Sequence, residues 1–221
     1  MKLFHEETTL VIAGAWNPAI LTPPWVLKHG LEKVLDGTNR YQAFLPAGFG
    51  LIFDAPRYVL EDLTFSVRPD SLIIVPKSET SEELNIAEDV AARMLNHLKH
   101  TPVGGVGHNF EFREQNPQPA QLDVFTRSRQ DLADVMPNGW EPATAAISSS
   151  FTKAGGTVAI NVQRTFEGGA IIVKVNFHHA VANAEQAISV LSGGNGYSRM
   201  PENFQLARTL LTTIYGELEI D

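Results

Sequence analysis

No cysteine occurs among the 221 residues, which excludes a disulfide framework, a thiolate nucleophile, a zinc ribbon and an iron–sulfur cluster, and fits a reducing compartment. Positive charge is scarce: Lys plus Arg 17 against Asp plus Glu 25 gives a net charge of −8. A field of that sign repels phosphate backbones and anionic membrane surfaces, and no basic cluster offsets it. Long apolar runs are missing as well. None approaches the roughly 20 residues of a bilayer-spanning helix, and Leu10 to Trp16 is too short for a signal-peptide core, so a soluble cytoplasmic protein is expected. The nucleophile elbow, the phosphate-binding P-loop, the HExxH zinc helix and the dinucleotide glycine turn are all absent. No cofactor is indicated. What is present, 43% hydrophobic and 19% charged residues, builds a core of ordinary size in one large domain or two fused small ones.

Residues Thr9 to Trp16 are small or β-branched and stop at Asn17-Pro18, the pattern of a buried strand. Thr22 ahead of Pro23-Pro24 reads as a capping hydroxyl before a short helix with apolar positions from Trp25 to Leu35 and a weak point at Gly30. Brief extended pieces are expected at 41–45 and 50–53. Leu63, Phe65 and Val67 alternate with polar neighbours before Pro69-Asp70 turns the chain into Leu72 to Val75, a hairpin. Thr80 to Glu83 offers a capping box for a helix from Ser81 to Lys99, with Leu84, Ala87, Val90, Ala91, Met94 and Leu95 on one face. Beyond Pro102, Val106, His108, Phe110 and Phe112 share one side of a strand. A helix is expected over Pro119 to Val135, with Leu122, Phe125, Leu132 and the following Met136 on one side. Strands follow at 143–151, 158–165 and 170–179, and a last helix runs from Pro201 to Tyr215.

The order strand, helix, antiparallel strands, long helix thus occurs twice. Ala13 to Asn17 can be laid on Gly105 to Asn109 (109 − 17 = 92), and Leu63 to Val67 on Val158 to Val162 (158 − 63 = 95). The nearly equal offsets predict an α+β fold of two similar halves, 1–101 and 102–221, in one continuous domain. Their first strands would join in a long curved antiparallel sheet with helices on one face. This element order resembles the tandem half-domains of the TATA-box-binding-protein-like fold. The segments Trp16 to Pro23 and Gly105 to Phe112 are similar to those of uncharacterised bacterial proteins. Neither resemblance implies a mechanism.

Histidine is the remaining route to acid–base or metal chemistry, because only its ordinary pKa lies near neutrality. His108 and His179 fall in phase with apolar neighbours and are expected on the covered face, where two imidazoles could share a metal or a ligand carboxylate, or simply hydrogen-bond to backbone. His178 faces the other way. Asn17 and Asn109 occupy matching places in the proposed repeat, and Arg164 sits near the turn between two strands. Asn161, Gln163, Lys174 and Asn176 make polar faces that are either wet or line a groove. Glu82, Glu83, Glu88 and Asp89 read as a solvated helix face.

These residues lead first to a noncatalytic binding or assembly protein, with a second copy or a protein partner on an exposed sheet edge. The alternative is a small-ligand or enzymatic site between sheet and helices, drawing on His108, His179, Asn109, Asn17 and Arg164. Nucleic-acid binding on the open sheet face ranks last, because the charge opposes it.

Overall fold

The computed structural model describes residues 1–34, 40–44, 55–127, 130–140, 143–153 and 155–216. Period-two alternation builds ten strands: β1 (Lys2–Leu3), β2 (Thr9–Gly14), β3 (Gln42–Phe44), β4 (Arg57–Val59), β5 (Leu63–Val67), β6 (Ser71–Pro76), β7 (Val103–Glu114), β8 (Thr144–Thr152), β9 (Val158–Glu167) and β10 (Ala170–Ala180). They form one antiparallel sheet in the order β3-β4-β5-β6-β2-β7-β10-β9-β8, with β1 also pairing to β7. Read outward from the central β2–β7 pair, and apart from β1, each half presents its leading strand and then its remaining strands in reverse chain order. This is the expected α+β arrangement of two similar halves merged into one long curved sheet.

Hydrophobic residues in phase on the strands, among them Leu10, Ile12, Phe65, Ile74, Val106, Phe110, Val175 and Phe177, are buried on one face. Helices cover that face. The longest are α2 (Ser81–His97) in the first half and α6 (Met200–Tyr215) in the second, and α5 (Ala184–Leu191) packs between α2 and β7. Thr80 caps α2 as its spacing predicts, its hydroxyl accepting from the Glu83 N–H. At the hairpin between β9 and β10, Gly168 and Gly169 have φ of 58° and 85°. A two-residue turn with both angles positive matches the right-handed twist of the strands it joins.

Several expectations need correction. The helix after Thr22 is only α1 (Pro23–His29). It ends at Gly30, where only glycine fits because a Cβ would meet the Val26 carbonyl oxygen and Val90 Cγ1 of α2, each at 2.9 Å, and Glu32 then turns left-handed at φ 54°. The Thr22 side chain makes no capping bond; Pro24 removes one of the two N–H groups a capping hydroxyl ordinarily accepts from. The helix expected over Pro119 to Val135 divides into α3 (Pro119–Arg127) and α4 (Gln130–Ala133). Phe125 alone of its stripe is fully buried, while Leu132 and Met136 lie in solvent. Leu35 and the piece expected at 50–53 fall outside the described residues. Strand β4 and helix α5 were not anticipated. Among the described residues no helix is long and apolar enough to cross a membrane.

Candidate functional site

Helical periodicity places Glu88 on the buried side of α2, four residues after Leu84 and three before Ala91, and it is 0% exposed. It is therefore not part of a solvated face. Its Oε1 accepts from the Met200 N–H at the start of α6 (3.0 Å) and its Oε2 from Arg199 Nε (3.0 Å). Arg199 Nη2 reaches Asp89 Oδ1 at 2.7 Å and the Asn85 carbonyl at 3.2 Å. Burial alone would lower the Arg199 pKa, but the Glu88 and Asp89 carboxylates outweigh it and raise it. A carboxylate from the first half thus caps the last helix of the second, where the helix dipole favours negative charge.

Strands β7 and β10 pair with His108 opposite Phe177 and His179 opposite Val106, which brings the two imidazoles together on the covered face. Their ring centroids are 5.2 Å apart. Asn203 of α6 places its amide nitrogen 2.8 Å from His108 Nδ1. An amide donating there leaves the His108 proton on Nε2, which lies 3.3 Å from Glu88 Oε1 without a well-formed hydrogen bond. His179 Nδ1 lies 3.3 Å from the Val106 carbonyl oxygen, and Tyr197 packs edge-on against its ring at 5.8 Å. Burial first, then the neighbouring His108, lowers the His179 pKa to about 4. The neutral ring donates from Nδ1 and keeps a lone pair on Nε2.

His179 lines a cavity of about 350 Å³ together with Tyr197, Asn203, Phe177 and Leu206. A second cavity of about 310 Å³ continues from it, sharing Phe151, Ile160 and Leu206 and running on past Val162, Leu210 and Ile214 to Arg164. Strands β8, β9 and β10 form the floor of this cleft and α6 its roof. Arg164 lies on the covered face, in the row Val173–Arg164–Ile147, six residues along β10 from the level of His179, or roughly 20 Å at the usual strand rise.

The opposite face carries a different arrangement. Thr9, Asn109, Asn176, Asn161 and Ser150 stand in register across β2, β7, β10, β9 and β8. Ser150 donates to Asn161 (2.7 Å), Asn161 to Asn176 (3.0 Å), Asn176 to Asn109 (2.7 Å) and Asn109 to Thr9 (3.1 Å). Beside this row, Glu111 is buried between Arg113 (2.5 Å) and Lys174 (3.1 Å). A shallow depression of about 550 Å³ overlies both rows.

The structure thus joins His108 to His179 and sets Arg164 at the far end of the same cleft. Asn109 belongs to the other face. Asn17 lies beyond the end of β2 and is exposed, its side-chain oxygen accepting from the Ala19 N–H (3.0 Å), so it does not match Asn109. Sequence reasoning missed Glu88, Asn203, Tyr197 and Tyr215. For Glu88 the signal was present, an acidic residue in phase with an apolar stripe. Among the described residues no three His, Cys, Asp or Glu side chains gather as metal ligands would. The chain matches no protein-family model and no curated protein.

Proposed function

We propose that this chain is a noncatalytic binding protein that holds a small amphipathic ligand in the cleft between α6 and strands β8 to β10. The observation that carries this reading is His179. Its Nδ1 is committed to the Val106 carbonyl, its burial keeps the ring neutral at pH 7, and its remaining lone pair belongs to a side chain that lines a cavity with otherwise largely apolar walls. Few convergent polar groups in an apolar pocket are the usual composition of a small-molecule site.

The test uses N-phenyl-1-naphthylamine, a neutral fluorescent probe with one N–H donor. Saturable binding is expected, weakened about tenfold by His179→Phe and lost in Leu206→Arg, which places a charge in the cleft. Absence of saturable binding to the wild type, or equal affinity in both variants, would refute the assignment.

A second reading, assembly with another copy, is favoured by strand β8. It ends the sheet, spans nine residues and contains no charged residue or proline, the devices that ordinarily protect an open edge. Strand β3 at the opposite end has only three residues. Light scattering should then report a dimer that Ser148→Lys dissociates, and a strict monomer would remove this reading. The mirrored strand order also supports an origin by tandem duplication. Nucleic-acid binding remains the least favoured reading, because the net charge of −8 opposes it.

A further inference from the structure

The end of the cleft farthest from His179 is lined by one guanidinium, Arg164, for which the described residues supply no counter-charge. Arg164 projects from β9 onto the helix-covered face, half-buried, and among the described residues no carboxylate lies within ion-pair distance of it. Its polar neighbour is Tyr215, at the last turn of α6. The Tyr215 hydroxyl is buried with no acceptor for its proton among the described residues; Arg164 is the group in hydrogen-bonding contact with it, and burial raises the tyrosine pKa against that contact. A partly desolvated guanidinium with no counter-charge and a buried hydroxyl with no acceptor are both unfavourable left as they are. An anionic oxygen group in the cleft would supply the counter-charge that Arg164 lacks.

The walls restrict what that group is attached to. Beyond Arg164 the cleft is lined by Val162, Leu210, Leu211, Ile214, Ile160 and Phe151, and Leu206 and Ile214 are 41% and 50% exposed. The stripe that α6 turns toward the sheet is therefore incompletely covered. Among the described residues Arg164 is the only cation lining this cavity, Lys153 standing at the other end of the cleft beside His179, which suits a single negative charge at the Arg164 end. The planar fork of a guanidinium matches a carboxylate in a two-point contact. The overall charge of −8 repels anions at long range, so recognition depends on this one local group.

We infer that the cleft takes a monocarboxylate with an unbranched apolar chain, its head on Arg164, which Tyr215 braces from behind, and its tail running beneath α6 along Val162, Leu210 and Leu206. This rests on the reading of the cleft as a ligand site and names the class of ligand.

The experiment is isothermal titration of the full chain with hexanoate, octanoate, decanoate and 1-decanol, each below its micellar concentration. Affinity is expected to rise about fourfold for each methylene buried. Decanoate should bind at least tenfold more tightly than 1-decanol. Arg164→Met should remove that preference, weakening decanoate at least tenfold more than 1-decanol, Arg164→Lys should restore part of it, and Tyr215→Phe should weaken decanoate by a smaller factor. If 1-decanol binds as tightly as decanoate, or Arg164→Met leaves decanoate affinity intact, the head-group assignment is wrong and the cleft remains a site for neutral ligands. If neither compound binds, the cleft reading falls with it.

Discussion

The two halves place a long helix over the same face of one sheet, yet they use it differently. In the first half α2 is sealed: Leu84, Ala87, Val90, Ala91, Met94 and Leu95 are all 0% exposed, and α1 packs against its flank. In the second half α6 buries Phe204, Ala207 and Leu211 but leaves Leu206 and Ile214 facing an open cleft. The helix inserted after β7, α3, packs against β8 instead, with Phe125 stacked on Phe166 at 6.1 Å. The same layer order therefore gives a filled core on one side and a binding-sized void on the other. The second half's α5 packs on α2 and helps close the first half's core, whereas α3 lies over β8.

The largest expected effect comes from cutting the tie between the halves. Glu88→Ala leaves Arg199 without its buried counter-charge and α6 without its cap. It should cost about 4 kcal/mol, read as a lower urea midpoint with an unchanged slope, whereas the exposed Glu82→Ala on the same helix should move it by less than about 0.5 kcal/mol. The contrast between the helices can be measured directly. Leu84→Ala in α2 opens a cavity in a closed core and should cost about 3 kcal/mol; Ile214→Ala in α6, already half exposed, should cost less than about 1 kcal/mol. Equal losses at the two positions would mean that the cleft is closed in solution.

His179 gives the second half its own response to pH. Its folded pKa, about 4, lies below the ordinary histidine value, so on acidification the unfolded chain takes up the proton first. The associated stability is complete above about pH 6.5 and declines as pH falls toward 4, by about 3 kcal/mol in all. His179→Phe should flatten that part of the stability profile. The smallest effect is expected on the open face, where Asn176→Ala removes two side-chain hydrogen bonds from the cross-strand row and should cost about 1 kcal/mol.

Period-two alternation was legible in β2, β5, β6, β7, β9 and β10 because each has one covered and one open face. It correctly put His108 and His179 on the covered side and His178 on the other. The long stripe of α2 was equally clear, and for the same reason Glu88 could have been recognised: position in the stripe outweighs the polarity of one residue when a partner is available. That partner, Arg199, lies 111 residues away, a separation at which spacing carries no information. Asn203 beside His108 and Tyr215 beside Arg164 were hidden for the same reason. Helix α5 went unread although Asn183 caps it and accepts from the Gln186 N–H (2.9 Å); at eight residues, its apolar positions cover barely two turns. The stripe expected through Leu132 and Met136 failed in the opposite sense, because a suitable pattern does not guarantee that a surface lies opposite it.

The three amides of the cross-strand row point the same way, each giving its proton toward the central strands. Their small dipoles consequently add along the row, and turning any one of them over breaks the bonds on both of its sides. The row begins at Ser150, on the outermost long strand, whose hydroxyl has already spent its proton. A neighbouring strand that prolonged the row would have to supply a proton at that position and not ask for one, a directional criterion for edge partners that mere shape would not impose.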